Sequence, residues 1–97
     1  MEVVTSELLE EFKKRMHITH DEDDNLIRLL SFSIADIKSK CGQFDIEEND
    51  VAKELVFERT RYTYNDALEY FNVNFQSQIN SLGMSIAFEE GDADATI

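Results

Sequence analysis

At 97 residues the chain is a single domain, and a chain of that size buries only roughly 60–70% of the surface its unfolded form exposes, which argues against a large enclosed catalytic cleft. With 42% hydrophobic and 31% charged residues it is too apolar to stay disordered. Twenty-one acidic residues stand against nine basic ones, net −12, whereas a phosphate-binding surface needs clustered Lys and Arg.

No apolar run approaches the length of a membrane span, and the opening MEVVTSELLEEF lacks the basic-then-apolar order of a signal peptide. The expectation is a protein that remains where it is made. The single cysteine, Cys41, cannot close an internal disulfide, in keeping with a reducing compartment. Beyond Arg61 there is no Lys or Arg, and that half carries Asp66, Glu69, Glu89, Glu90, Asp92 and Asp94. Such acidity serves solubility; read more sharply, it repels DNA or meets a basic partner.

Thr5 or Ser6 is a candidate N-cap, followed by Glu7 in the first turn and Leu8, Phe12 and Met16 at intervals of four, a short amphipathic helix. HITHDEDD breaks the pattern with a loop and an acidic helix start. Ile27, Leu30, Ile34, Ile37 and Cys41, widened by Leu26 and Leu29, predict a second helix over about residues 23–41, stopped by Gly42. QFDIEEND reads as a loop ending in a cap at Asn49 or Asp50. A third helix runs through Ala52, Leu55, Val56, Arg59 and Tyr62. Arg59 lies on its apolar side, where an arginine either snorkels to water or pairs with another subunit. Past Asn65-Asp66 the stripe restarts as Leu68, Phe71, Phe75, Ile79 and Leu82, either continuing the third helix or forming a fourth, and Gly83 is expected to end it.

In MSIAFEE, Met84, Ile86 and Phe88 alternate with Ser85, Ala87 and Glu89, the period-two signature of a strand. A lone strand tends to pair with another chain. The expected fold is therefore all-α: a small bundle of three to four helices over residues 1–83, then a C-terminal extended, strand-like docking arm and acidic tail over residues 84–97. Residues 57–75 hold six of the ten aromatics, Phe57, Tyr62, Tyr64, Tyr70, Phe71 and Phe75. A small core accounts for about half of this aromatic surface, and the rest points to an interface.

His17 and His20, beside Asp21, Asp23 and Asp24, do not make the closed four-ligand set of a structural zinc, and Cys41 lies a helix away. DEDDNLIRLL is not a calcium loop, because Leu26 stands where glycine is needed and Phe32 where the closing Glu belongs. With no Gly-rich phosphate loop or nucleophile elbow, the sequence offers no cofactor, metal or catalytic site, and it reads as a non-enzyme.

The short N-terminal helix, the string DDNLIRLLSFSIADIKSKCG with its loose D-D-x-L-I and C-G, the helix start DVAKELVFERTRY and the later ALEYFNVNFQSQINSL together resemble the head-to-tail connector, or adaptor, proteins of long-tailed bacteriophages, in the form carried by phages and prophages of Gram-positive bacteria. The resemblance spans roughly residues 5–88. It implies a helical subunit of a ring, typically of twelve copies, beneath the portal, made and assembled in the bacterial cytoplasm and resident in the virion. The implied partners are the portal protein and the stopper, or head-completion, protein. DNA would pass through the ring without being tightly bound, and no membrane is involved. Under this reading Met84, Ile86 and Phe88 dock on the portal or a neighbour, and Arg59, Tyr62, Tyr64, Tyr70 and Phe75 lie at the subunit interface. Ordering the arm costs backbone entropy, so the free protein can be monomeric, with the ring forming on a portal template. Two other classes fit the charge: an acidic DNA mimic that inhibits a DNA-binding protein, and a small helical regulator that dimerises through residues 51–82.

Overall fold

Four residues of the second helix, Leu26, Leu30, Ile34 and Ile37, are essentially withdrawn from water, each stabilising the fold by on the order of 1.5–3 kcal/mol relative to exposure. A computed structural model describes residues 3–95, with side chains described for residues 3–89. Among these residues every regular element is helical: α1 (Ser6–Met16), α2 (Asp23–Cys41), α3 (Asp50–Tyr64), a 3-10 turn (Leu68–Tyr70), α4 (Phe71–Asn74) and α5 (Gln76–Ala95). The all-α expectation is met. α2 lies at the centre, with α3 and α5 packed most extensively against it and α1 closing a further side.

The helix ends follow local chemistry. Thr5 Oγ1 accepts the Leu8 N–H at 3.1 Å and starts α1, and Asn49 Oδ1 accepts the Ala52 N–H at 3.0 Å and starts α3. Lys13, Lys14 and Arg15 occupy the last turn of α1, where the dipole favours cations. His17 then adopts a left-handed conformation, its N–H returning to the carbonyls of Lys13 and Lys14. Gly42, at φ 103°, ends α2 in a region that side chains avoid.

The question left open around Asn65-Asp66 resolves as a break. Asp66 sits at φ 57°, and the Ala67 N–H folds back to the Tyr62 carbonyl at 2.8 Å. The chain then re-enters helix in short steps, which set Phe71 into the core and lay Phe75 beside it, centroids 5.1 Å apart and nearly parallel. Tyr62 meets both rings edge-on at 5.9 and 5.7 Å. Phe57 packs on Phe12 at 5.5 Å, joining α3 to α1. Leu68, expected on the same stripe, is exposed because it precedes the re-entry.

The strand expected over Met84, Ile86 and Phe88 is helix instead. Residues 84–88 lie within α5, which continues through Gly83 instead of ending there, so the expected boundary at residue 83 falls inside a helix. The apparent alternation comes from a helix that carries apolar residues on two sides. Ile79, Leu82 and Ile86 face the core, Ile86 being 3% exposed, whereas Met84 and Phe88 are 74% and 75% exposed. At 100° per residue the pair stands about half a turn from the buried stripe. Of the acidic tail, Thr96 and Ile97 lie outside the described residues. Gly83 faces α2, and a Cβ built there would meet Cys41 Cα at 3.7 Å, ordinary contact that requires no shift.

Two measurements check the helical reading of this segment. Gly83→Ala removes a helix-interior glycine without a clash, so it should stabilise the fold by about 0.5–1 kcal/mol and raise Tm by roughly 2–8 °C. In chemical denaturation Ile86→Ala should cost about 2–3 kcal/mol by leaving a cavity, while Phe88→Ala should stay within about 0.5 kcal/mol of the parent; equal effects would contradict the two-sided helix.

Candidate interaction surface

Most of the basic residues are engaged by the chain's own carboxylates. Lys13 Nζ lies 2.9 Å from Asp23, joining α1 to the start of α2. Arg15 donates through Nη1 to Glu54 at 2.7 Å, contacts Glu54 again through Nη2, and reaches Glu58 at 3.4 Å, so α1 is pinned to α3. Lys53 answers from α3 to Glu11 at 3.1 Å. Arg61 holds Glu58 at 2.8 Å within α3. With Lys40 and Arg59, both on Asp36, at least six of the nine cations have a carboxylate partner among the described residues. Exposed pairs of this kind contribute about 0–1 kcal/mol each. Their larger effect here is to withdraw positive charge from any ligand.

Arg59, expected to snorkel or to pair across a subunit boundary, is satisfied inside the chain. Its Nε lies 3.0 Å from Asp36 Oδ2 and its Nη1 donates to Ser33 Oγ at 3.1 Å, both partners on α2. Lys40 approaches the same buried carboxylate oxygen at 2.8 Å and donates to Asn72 at 2.7 Å. The cause is register: Ser33 and Asp36, three residues apart on α2, face the Arg59 side of α3.

Two carboxyl groups are held below the usual carboxylate range. The Arg61 guanidinium, with Arg15 beyond it, does so for Glu58. Tyr64 Oη, donating at 2.6 Å, does so for Glu22, helped by Asn25 Nδ2 and by contact with His20. The same Glu22 bond raises the Tyr64 phenol above its ordinary value. These contacts tie the loop before α2 to the end of α3. The two histidines are thereby accounted for, His17 as the terminator of α1 and His20 as a neighbour of Glu22. Among the described residues no group of three or more His, Cys, Asp or Glu is placed to hold a metal, and no helix is long and apolar enough to cross a membrane.

The other expected interface residues separate. Tyr62 and Phe75 are half-buried in one aromatic cluster with Phe71, and Tyr62 Oη accepts from Asn74. Tyr64 is half-buried and bound to Glu22. Tyr70 is 60% exposed. Of the expected docking trio, Ile86 is core, and Met84 and Phe88 share the outer side of α5.

Sequence reasoning passed over exposed Phe32, Val51 and Val73. Val51 opens a mostly apolar groove of about 360 Å³, with Leu55 and Phe75 on its walls, Gln78 beside them and the carboxylates of Asp50 and Glu54 on its rim. The available signal was that Val51 is an apolar residue off the α3 stripe. No protein-family model, curated protein or solved structure matches this chain.

Because Glu58 titrates below the usual 4.5 in the folded state, the stability it contributes is present above that pH and is lost as pH falls through its folded value. Thermal melts from pH 7 to pH 2.5 should therefore show a shallower acid decline for Glu58→Gln than for the parent chain, from a lower starting Tm.

Proposed function

We propose that this protein is a structural subunit, a head-to-tail connector of a long-tailed bacteriophage, acting without chemistry of its own. The observation that carries the proposal is the disposition of charge. At least six of the nine cations are tied to carboxylates of the same chain, no cation follows Arg61, and a net charge of −12 remains. A wall of such subunits around a channel repels the phosphate backbone, so duplex DNA slides past without sticking. The resemblance over residues 5–88 supplies the architecture: a ring, typically of twelve copies, between portal and stopper, resident in the virion. The exposed Tyr70 and Val73 are surface suited to neighbouring subunits.

The acidic DNA mimic accounts for the same charge. The exposed apolar residues favour the connector, since a mimic occupies its target through carboxylates. Self-repulsion among subunits of this charge favours a monomer in isolation and a ring on the portal template.

Light scattering of the purified protein should give a monomer, and addition of the portal protein should recruit a stoichiometric ring. Duplex DNA in a low-salt gel shift should remain unshifted. Submicromolar, salt-sensitive DNA binding, or failure to join any portal, would sink the proposal.

A further inference from the structure

The outer side of α5 is not explained by the fold. Met84 and Phe88, 74% and 75% exposed, lie one turn apart and opposite the buried Ile79, Leu82 and Ile86. On the same side, one turn and two turns before Met84, stand Ser81 and Ser77, both exposed and small enough to let another surface approach closely. Two large apolar side chains at i and i+4 on a solvent face form the anchor pattern of a helix that lies in a groove.

Charge selects the occupant. Glu89 follows Phe88 and is exposed, Glu90, Asp92 and Asp94 follow in sequence, and no Lys or Arg occurs anywhere after Arg61. A second copy packed face to face would bring two segments of the same acidic sequence together with no cation between them. A second copy offering the apolar groove at Val51, Leu55 and Phe75 would meet them with Asp50 and Glu54 on its rim. Both arrangements oppose like charges around an apolar contact, which disfavours association.

We propose that the Met84–Phe88 side of α5 docks on a different protein, one that presents an apolar groove or helix face flanked by Lys and Arg. The two anchors enter the apolar surface, and Glu89 together with the acidic sequence that follows it selects the basic flanks. This keeps Met84 and Phe88 from the docking trio that the connector reading implies, but it does not require that reading, because it rests on the exposed side of α5 alone: a failed portal assay leaves it standing, and a failed peptide assay leaves the ring contacts standing.

The test uses the full chain and three synthetic helical peptides, each labelled with a fluorophore. One carries a Leu-rich face flanked by Lys and Arg, the second the same face flanked by Glu, and the third the basic flanks with Ser in place of Leu. In fluorescence anisotropy the first should bind at least about tenfold tighter than either of the others, and Met84→Ser/Phe88→Ser should weaken it by about tenfold or more. Circular dichroism should show the double variant as helical as the parent, because both side chains are exposed. Unchanged affinity in the double variant would place binding on the diffuse acidic surface and overturn the proposal. So would a basic amphipathic peptide binding no tighter than its Glu-flanked twin. Sedimentation of the parent as a dimer that the double variant dissolves would assign the face to a second copy and overturn it equally.

Discussion

The structure depends on keeping α2 dry. One 19-residue helix supplies Leu26, Leu30, Ile34, Ile37 and Cys41 to the core and also buries Ser31 and Ser33, so it must be covered along more than one side. α3 and α5 together provide that cover. The break at Asn65-Asp66 lets the chain leave α3 and return along α2 as α5. A continuous helix over residues 50–82 would have carried Phe71, Ile79 and Leu82 away from the surface they complete.

Electrostatics then fastens what burial assembles. With 21 acids and nine bases, most carboxylates have no cation to meet, and the available cations sit where helices cross: α1 with α2 at Lys13, α1 with α3 at Arg15 and Lys53, α2 with α3 at Arg59. The C-terminal half receives none of these ties among its own residues and is held by apolar contact, by the reach of Lys40 to Asn72 and by the Cys41 thiol donating to the Ile79 carbonyl. Charge therefore organises one half of the molecule and leaves the other as an acidic surface.

Much of the fold was legible because local chemistry and periodicity agreed. Thr5, Asn49 and Gly42 stand where caps and stops were expected, and the α2 stripe packs as its spacing dictates. The C-terminal segment was misread because Met84, Ile86 and Phe88 satisfy two patterns. Spaced by two, they fit a strand; wound at 100° per residue, they place one residue inward and two outward. Gly83 added to the error, since it stands inside α5, where a Cβ would meet Cys41 only in ordinary contact, and does not end the helix. Arg59 was placed on the correct side of α3, but its partners, 26 and 23 residues earlier in the chain, belong to a register between helices that no local pattern encodes. Of the expected interface residues, the sequence showed which were aromatic, and only packing separated Tyr70 at the surface from Tyr62 and Phe75 in the cluster.

The meeting of α2 and α5 has a consequence for observing the molecule. Cys41 is the only thiol in the chain, it is buried between those two helices, and burial pushes its titration upward, away from the reactive thiolate. A thiol reagent cannot reach it while α5 is seated, so its rate of modification is a clock for the parting of the two helices. Any partner that clamps α5 in place slows that clock, and any partner that peels α5 away quickens it, giving a protein without tryptophan a native reporter at this helix pair.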